Sequence, residues 1–151
     1  MTEAMIEKMR AIGLRLDRAG TFWQDGAPVT HARLRQALLR WLDVRDDGRD
    51  IVKLDDKRYA YVEIEDAHLR ARSARWDGDR CFVLWDDDRE AELDYGSLRQ
   101  AADHALYVRH GRLRARIAGP AYHAVAERIV EHGGGFALDA AGRRWPIENA
   151  G

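Results

Sequence analysis

The densest chemistry in the sequence is "YVRHGRLRARI" at 107–117. In an extended strand alternate side chains share a face, so Arg112, Arg114 and Arg116 align on one side. Leu113, Ala115 and Ile117 take the other. A two-residue turn at His110-Gly111 would bring Tyr107 and Arg109 onto the arginine face, with Arg109 opposite Arg112 and Tyr107 beside Arg114. Four guanidiniums around a phenol suit a phosphate or carboxylate held by forked hydrogen bonds. The plainer use of such a face is a solvated exterior, balanced by acids such as Glu90 or Glu92.

A second signal is an echo. "PVTHA" at 28–32 returns as "PAYHA" at 120–124. It makes His31 and His123 secondary candidates for metal or acid–base work, each placed in the first turn of a helix. No carboxylate–histidine spacing accompanies either, and no metal site or catalytic residue is assigned. Cys81, the single cysteine, lies in the apolar "RCFVLW" and reads as an inert buried thiol. Asp86, Asp87 and Asp88 before Glu90 have the composition of a cation loop, but they stand between two strands, where aspartate serves turns. Trp23, Trp41, Trp76, Trp85 and Trp145 are spread over separate elements and read as core or core-edge packing. P-loop, G-x-S-x-G, G-x-G-x-x-G, H-E-x-x-H and C-x-x-C motifs are missing, and nothing implies a cofactor.

These residues need a scaffold. At 151 residues the chain lies in the one-domain range of about 100–200. With 46% hydrophobic and 34% charged residues and a net charge of -1, it has globular composition and no global attraction to nucleic acid or anionic membrane. The N-terminus has no signal-peptide pattern and no apolar run reaches membrane-span length, so a cytoplasmic location is expected.

Spacing predicts a helix near 2–12, a hairpin over 13–26 and an amphipathic helix over 29–42. That helix carries Leu34, Leu38 and Trp41 on one stripe, with Pro28 at its start. Strands follow at "IVKL", "RYAYVEIE", "HLRARSARW", "RCFVLW" and "REAELDY", then a short helix or irregular link at "SLRQAADHA". A hairpin at 106–117, a helix over 121–132 opened by Pro120, and a closing hairpin complete the chain. We expect Tyr59–Glu65 and Arg70–Trp76 to pair, with Glu65 opposite Arg70. The echo then marks two related strand-pair/helix/hairpin units, roughly 14–65 and 104–147, with strands at 69–95 between them. The expected class is a single compact α+β domain with mixed or mostly antiparallel sheet.

The order and spacing of "DGAPVTHARLRQAL", "YVEIEDAHL", "LYVRHGRLRARIAGPAYHAV" and the Gly142–Pro146 strand resemble an uncharacterised bacterial family, domain of unknown function 1285. The chain departs from that pattern at "LDDKR" and at His68, where a proline is expected. The resemblance covers nearly the whole chain from residue 14. It implies an α+β fold with repeated motifs, no assigned activity, no catalytic residues and a role in signalling. The leading functional reading is a non-enzymatic ligand-binding or regulatory module for an anionic small molecule or a protein partner. The alternatives are an enzyme whose site is assembled from dispersed His and acidic residues, and nucleic-acid binding through the arginine face, which the neutral net charge disfavours.

Overall fold

A computed structural model describes residues 2–150. Short strands dominate and three helices interrupt them, an α+β architecture of two compact units, Met1–His68 and Leu69–Gly151.

The first unit runs α1 (Glu3–Arg10), β1 (Leu14–Leu16), β2 (Phe22–Gln24), β3 (Ala27–Pro28), α2 (Ala32–Trp41), β4 (Leu42–Val44), β5 (Asp50–Lys53) and β6 (Tyr59–Ile64). Its sheet has the order β3-β2-β1-β6-β5-β4. Neighbours are antiparallel except β1 and β6, which run parallel with Leu14 beside Val62 and Leu16 beside Ile64. Leu14, Leu16, Phe22, Ile51, Val52 and Val62 are buried, and α2 adds Leu38 and Leu39 while packing on β5. Leu34, expected on the same stripe, stays exposed in the first turn.

The second unit holds β7 (Leu69–Asp77), β8 (Arg80–Trp85), β9 (Glu90–Glu92), a 3₁₀ turn (Tyr95–Ser97), β10 (Arg99–Gln100), β11 (Leu106–His110) and β12 (Leu113–Ile117). Then come α3 (Gly119–Ala126), β13 (Ile129–His132), β14 (Gly135–Ala140) and β15 (Arg143–Asn149). Its sheet has the order β13-β14-β15-β10-β11-β12-β7-β8-β9. The first six strands of that list follow the order seen in the first unit. Two three-stranded meanders flank a helix, and the last strand returns parallel to the first, here β15 beside β10. β7, β8 and β9 extend this sheet beyond β12, with β7 parallel to β12.

Several sequence expectations change. Pro28 does not start a helix. It lies in β3 opposite Trp23, at the sheet edge, where a residue without an N–H is tolerated. His31 takes the capping role instead, its Nδ1 accepting the Leu34 N–H at 3.3 Å. Pro120 does stand in the first turn of α3. That helix ends at Ala126, because Ile129 and Val130 are β-branched and pair with β14 instead. Part of "SLRQAADHA" is the strand β10.

The expected hairpin of Tyr59–Glu65 with Arg70–Trp76 does not form. β6 pairs with β1 and β5, while β7 pairs with β8 and β12. Glu65 accepts the Arg18 N–H at 2.8 Å, and Arg70 Nε donates to Asp86 at 2.7 Å. The hairpin of β11 and β12 turns one residue later than expected, on Gly111-Arg112. Gly111 has φ 60 at the first central position, the arrangement of a type II′ turn. The partners slip by two, so Arg109 faces Arg114 and Tyr107 faces Arg116. An even slip keeps each side chain on its face. Leu106, Val108, Ala115 and Ile117 are accordingly buried.

Candidate functional site

The residues expected to form an anion face are in part engaged with one another. Arg116 donates to the Tyr107 hydroxyl at 2.6 Å and to Asp103 at 2.8 Å. Asp103 therefore stands where Glu90 or Glu92 was expected. Its carboxyl is held below the ordinary range, first by Arg116 and then by the Ala105 N–H. Glu90 instead binds Arg75, at 2.8 Å. Arg109 is exposed, its backbone N–H donating to Ser97 Oγ at 2.8 Å. Arg112 and Arg114 are exposed and have interactions of their own.

The other sequence candidates fall apart spatially. His31 is spent on the α2 cap. His123 is exposed on α3, its ring edge-on to Tyr122 at 6.0 Å. Cys81 is fully buried, and loss of hydration pushes its thiol up to about 11, against a minor opposing pull from Arg128. Asp87 accepts the Arg89 N–H at 3.0 Å, and Asp88 pairs with Arg72. Among the described residues no group of three or more His, Cys, Asp or Glu side chains could hold a metal ion. Of the tryptophans, Trp85 is buried, Trp23 donates to Asp17, Trp76 to the Ala124 carbonyl and Trp145 to the Ala140 carbonyl.

A tighter constellation forms in the first unit, from residues that the sequence reading passed over. Strand alternation puts Tyr59 and Tyr61 of β6 on one face, their rings T-shaped at 6.0 Å. The hairpin of β4 and β5 closes through "RDDGR", Arg45–Arg49. Gly48 takes φ 87 there, and its N–H donates to the Arg45 carbonyl, giving a three-residue loop. Arg45 and Arg49 stand at the two ends of that loop, joined by an Arg45 N–H bond to the Arg49 carbonyl at 2.9 Å. The Arg49 guanidinium lies 3.4 Å from the centre of the Tyr61 ring, and that of Arg45 4.9 Å from the centre of Tyr59. α1 packs on β6 and brings Arg10 over Tyr59 at 3.9 Å. Stacking on an aromatic face fixes a guanidinium while leaving its N–H fork available in the ring plane.

One carboxylate sits at the convergence of these groups. Glu7 of α1 accepts a hydrogen bond from the Tyr61 hydroxyl and pairs with Arg10 at 3.3 Å and Arg49 at 3.5 Å. Arg45 donates in turn to the Tyr61 hydroxyl at 2.8 Å. The Tyr61 hydrogen bond, followed by the two arginines, holds the Glu7 carboxyl below its ordinary range despite some loss of hydration. Tyr61 is moved up, first by loss of hydration and then by its bond to Glu7. Beside the group is a hollow of about 570 Å³, bounded also by Glu3 and Asp47. A second hollow of about 550 Å³ shares Arg49 and Tyr61 and is floored by Gly13, Leu14 and Trp23. The signals for this site were the tyrosine alternation in "RYAY" and the arginines bracketing a Gly-bearing turn.

No family model and no curated protein matches the chain. Solved structures do. A DUF1285 family protein from Silicibacter pomeroyi DSS-3 superimposes with a TM-score of 0.76 at 18% identity, over 93% of this chain and 81% of that one. A DUF1285 family protein from Shewanella baltica OS155 gives 0.63 at 15% identity, over 78% of this chain and 93% of that one. At such identities the likeness speaks to the fold, and this chain has the fold of the DUF1285 family proteins, the family its sequence resembles.

Proposed function

We propose that this protein is a non-enzymatic binding module that recognises an anionic group, carboxylate or phosphate, through Arg45, Arg49 and Tyr61. One observation supports the reading above the others. The Arg49 guanidinium and the Tyr61 hydroxyl, itself bonded by Arg45 at 2.8 Å, converge on a single carboxylate from outside its own helix, and both are donors to it. Donors aimed at one point are the chemistry of anion capture. The two hollows that Arg49 and Tyr61 both line leave room for the body of a small molecule. The β11–β12 face supports the reading less well, because Arg116 is already committed to Asp103 and Tyr107.

Calorimetric titration of the full chain with inorganic phosphate and with acetate tests the proposal. Binding should be lost in the pair R45S/R49S and kept in the pair R112S/R114S. Loss in the second pair alone would place the anion on β11–β12, and no binding of either probe by the native chain would contradict the reading.

A further inference from the structure

Glu7 is the feature that the binding reading leaves unexplained. It is the chain's own carboxylate, and it occupies the point at which the donors converge. Arg45, Arg49, Tyr59 and Tyr61 come from β6 or from the loop closing β4 and β5. Glu7 arrives with Arg10 on α1, a helix of eight residues outside the sheet. An isolated helix of that length is marginal in water, so α1 depends on its docking contacts.

Among the described side chains of α1, those contacts are ion pairs, hydrogen bonds and a cation–π stack. Glu7 bonds Tyr61, Arg10 and Arg49, while Arg10 stacks on Tyr59 and donates to the Lys57 carbonyl at 3.2 Å. Met5 remains 55% exposed, so it adds little burial to the docking. A helix held by a carboxylate in an arginine–tyrosine site can be displaced by a free anion that offers the same oxygens. Release also removes Glu3 and Arg10 from the hollow, leaving Arg45 and Arg49 facing Asp47.

We infer that α1 is an internal pseudo-ligand: its Glu7 carboxylate fills the anion site of the first unit, and a ligand carboxylate or phosphate binds by displacing it and releasing the helix. This rests on the binding reading above and adds the regulation of that site. Binding and helix docking are then mutually exclusive, so the fraction of time that α1 is undocked sets the apparent affinity. The ligand class follows from the occupant. It carries one terminal anionic group of carboxylate or phosphate size, and the released helix is the output that a partner could read.

The test compares the full-length native chain with E7Q, which keeps the size and reach of the side chain but removes its charge. Two readouts are taken: the affinity for inorganic phosphate by calorimetry, and amide hydrogen exchange across residues 3–10. The inference predicts that E7Q binds phosphate about tenfold more tightly. It also predicts that saturating phosphate speeds exchange across α1 in the native chain, as E7Q does without ligand. Equal phosphate affinity in the two proteins, or α1 exchange unchanged on phosphate saturation, would overturn the inference and leave the anion site standing. Failure of both proteins to bind phosphate and acetate would remove the site itself. Because Glu7 is partly exposed, E7Q is expected to fold, and an unchanged thermal midpoint in the remainder of the chain checks this.

Discussion

Arg49 lies over the Tyr61 ring, its guanidinium carbon 3.4 Å from the ring centre, and both residues reach the same carboxylate of Glu7. Ring and guanidinium therefore orient each other before any ligand arrives. Y61F separates the two contributions, since the ring stays while the hydroxyl goes. Phosphate binding should weaken, because one donor is lost, and α1 should exchange faster, because Glu7 loses its hydrogen bond to the sheet. Y61L removes the stacking surface as well and should weaken binding further. Equal affinity for phosphate in Y61F and Y61L would show that the stacked geometry contributes nothing.

Docking of α1 should depend on pH in one direction. Glu7 faces Tyr61, Arg10 and Arg49, with Arg45, Asp47 and Glu3 around the hollow. Its carboxyl titrates below the ordinary glutamate range when docked. A depressed carboxylate stabilises the docked state fully above its undocked value, and that contribution disappears as pH falls through the docked value. Hydrogen exchange across residues 3–10, corrected for its intrinsic pH dependence, should show constant protection from neutrality down to the ordinary glutamate range and a loss below it. Protection that fell on raising the pH from 5 to 8, roughly, would have the wrong sign.

The same linkage separates Asp103 from a passive surface acid. Its carboxyl is also depressed, chiefly by Arg116. D103N should lower the stability of the second unit at neutral pH. The gap from the native chain should close as the solution is acidified through the aspartate range, where the native carboxyl protonates too. Urea titrations at two pH values measure this, and a gap that persisted in acid would point to packing instead.

Core burial gives a prediction with a magnitude. Leu16 is fully buried on β1, between β2 and β6. L16A should destabilise by about 2–5 kcal/mol through lost transfer energy and the cavity left behind. G111A should cost about 1–2 kcal/mol for another reason. A Cβ at Gly111 meets nothing within 4 Å, so only the backbone at φ 60 resists. Chemical denaturation checks both.

Cys81 should be silent in the native protein. It is fully buried, and its thiol is pushed up to about 11. Iodoacetamide at about pH 8 should leave the folded chain unmodified and label it once in denaturant. Labelling without denaturant would contradict the burial.

Much of the scaffold was legible because its signals are local. The apolar run "RCFVLW" and the alternation in "YVRHGRLRARI" mark strands, and the alternation assigns the two faces of the β11–β12 hairpin correctly, with the turn one residue early. Only a two-residue slip separates His110-Gly111 from Gly111-Arg112, and both turns keep Leu106 and Ile117 inside. The errors lie where long-range pairing overrides local preference. Pro28 suits the start of a helix and an edge strand alike, and pairing with Trp23 decides. Ile129 fits a helical stripe with Val125 and Ala126 until Leu138 offers it a strand partner. Glu65 and Arg70 are complementary on paper, yet β1 already occupies the flank of β6 that such a hairpin would use. The candidate site was the least legible part. Glu7 and Tyr61 are 54 positions apart, and no spacing rule connects an N-terminal helix with a strand so distant in the chain.

An anion held by Arg45, Arg49 and Tyr61 marks one place on the chain. Backbone amide chemical shifts of the full chain, followed during titration with inorganic phosphate, test it most directly. Binding at this site should give saturable changes at Arg45–Arg49 and Tyr59–Tyr61, accompanied by changes across Glu3–Arg10 as α1 leaves. Saturable changes confined to residues 107–116, or shifts that grow linearly without saturating anywhere, would contradict it.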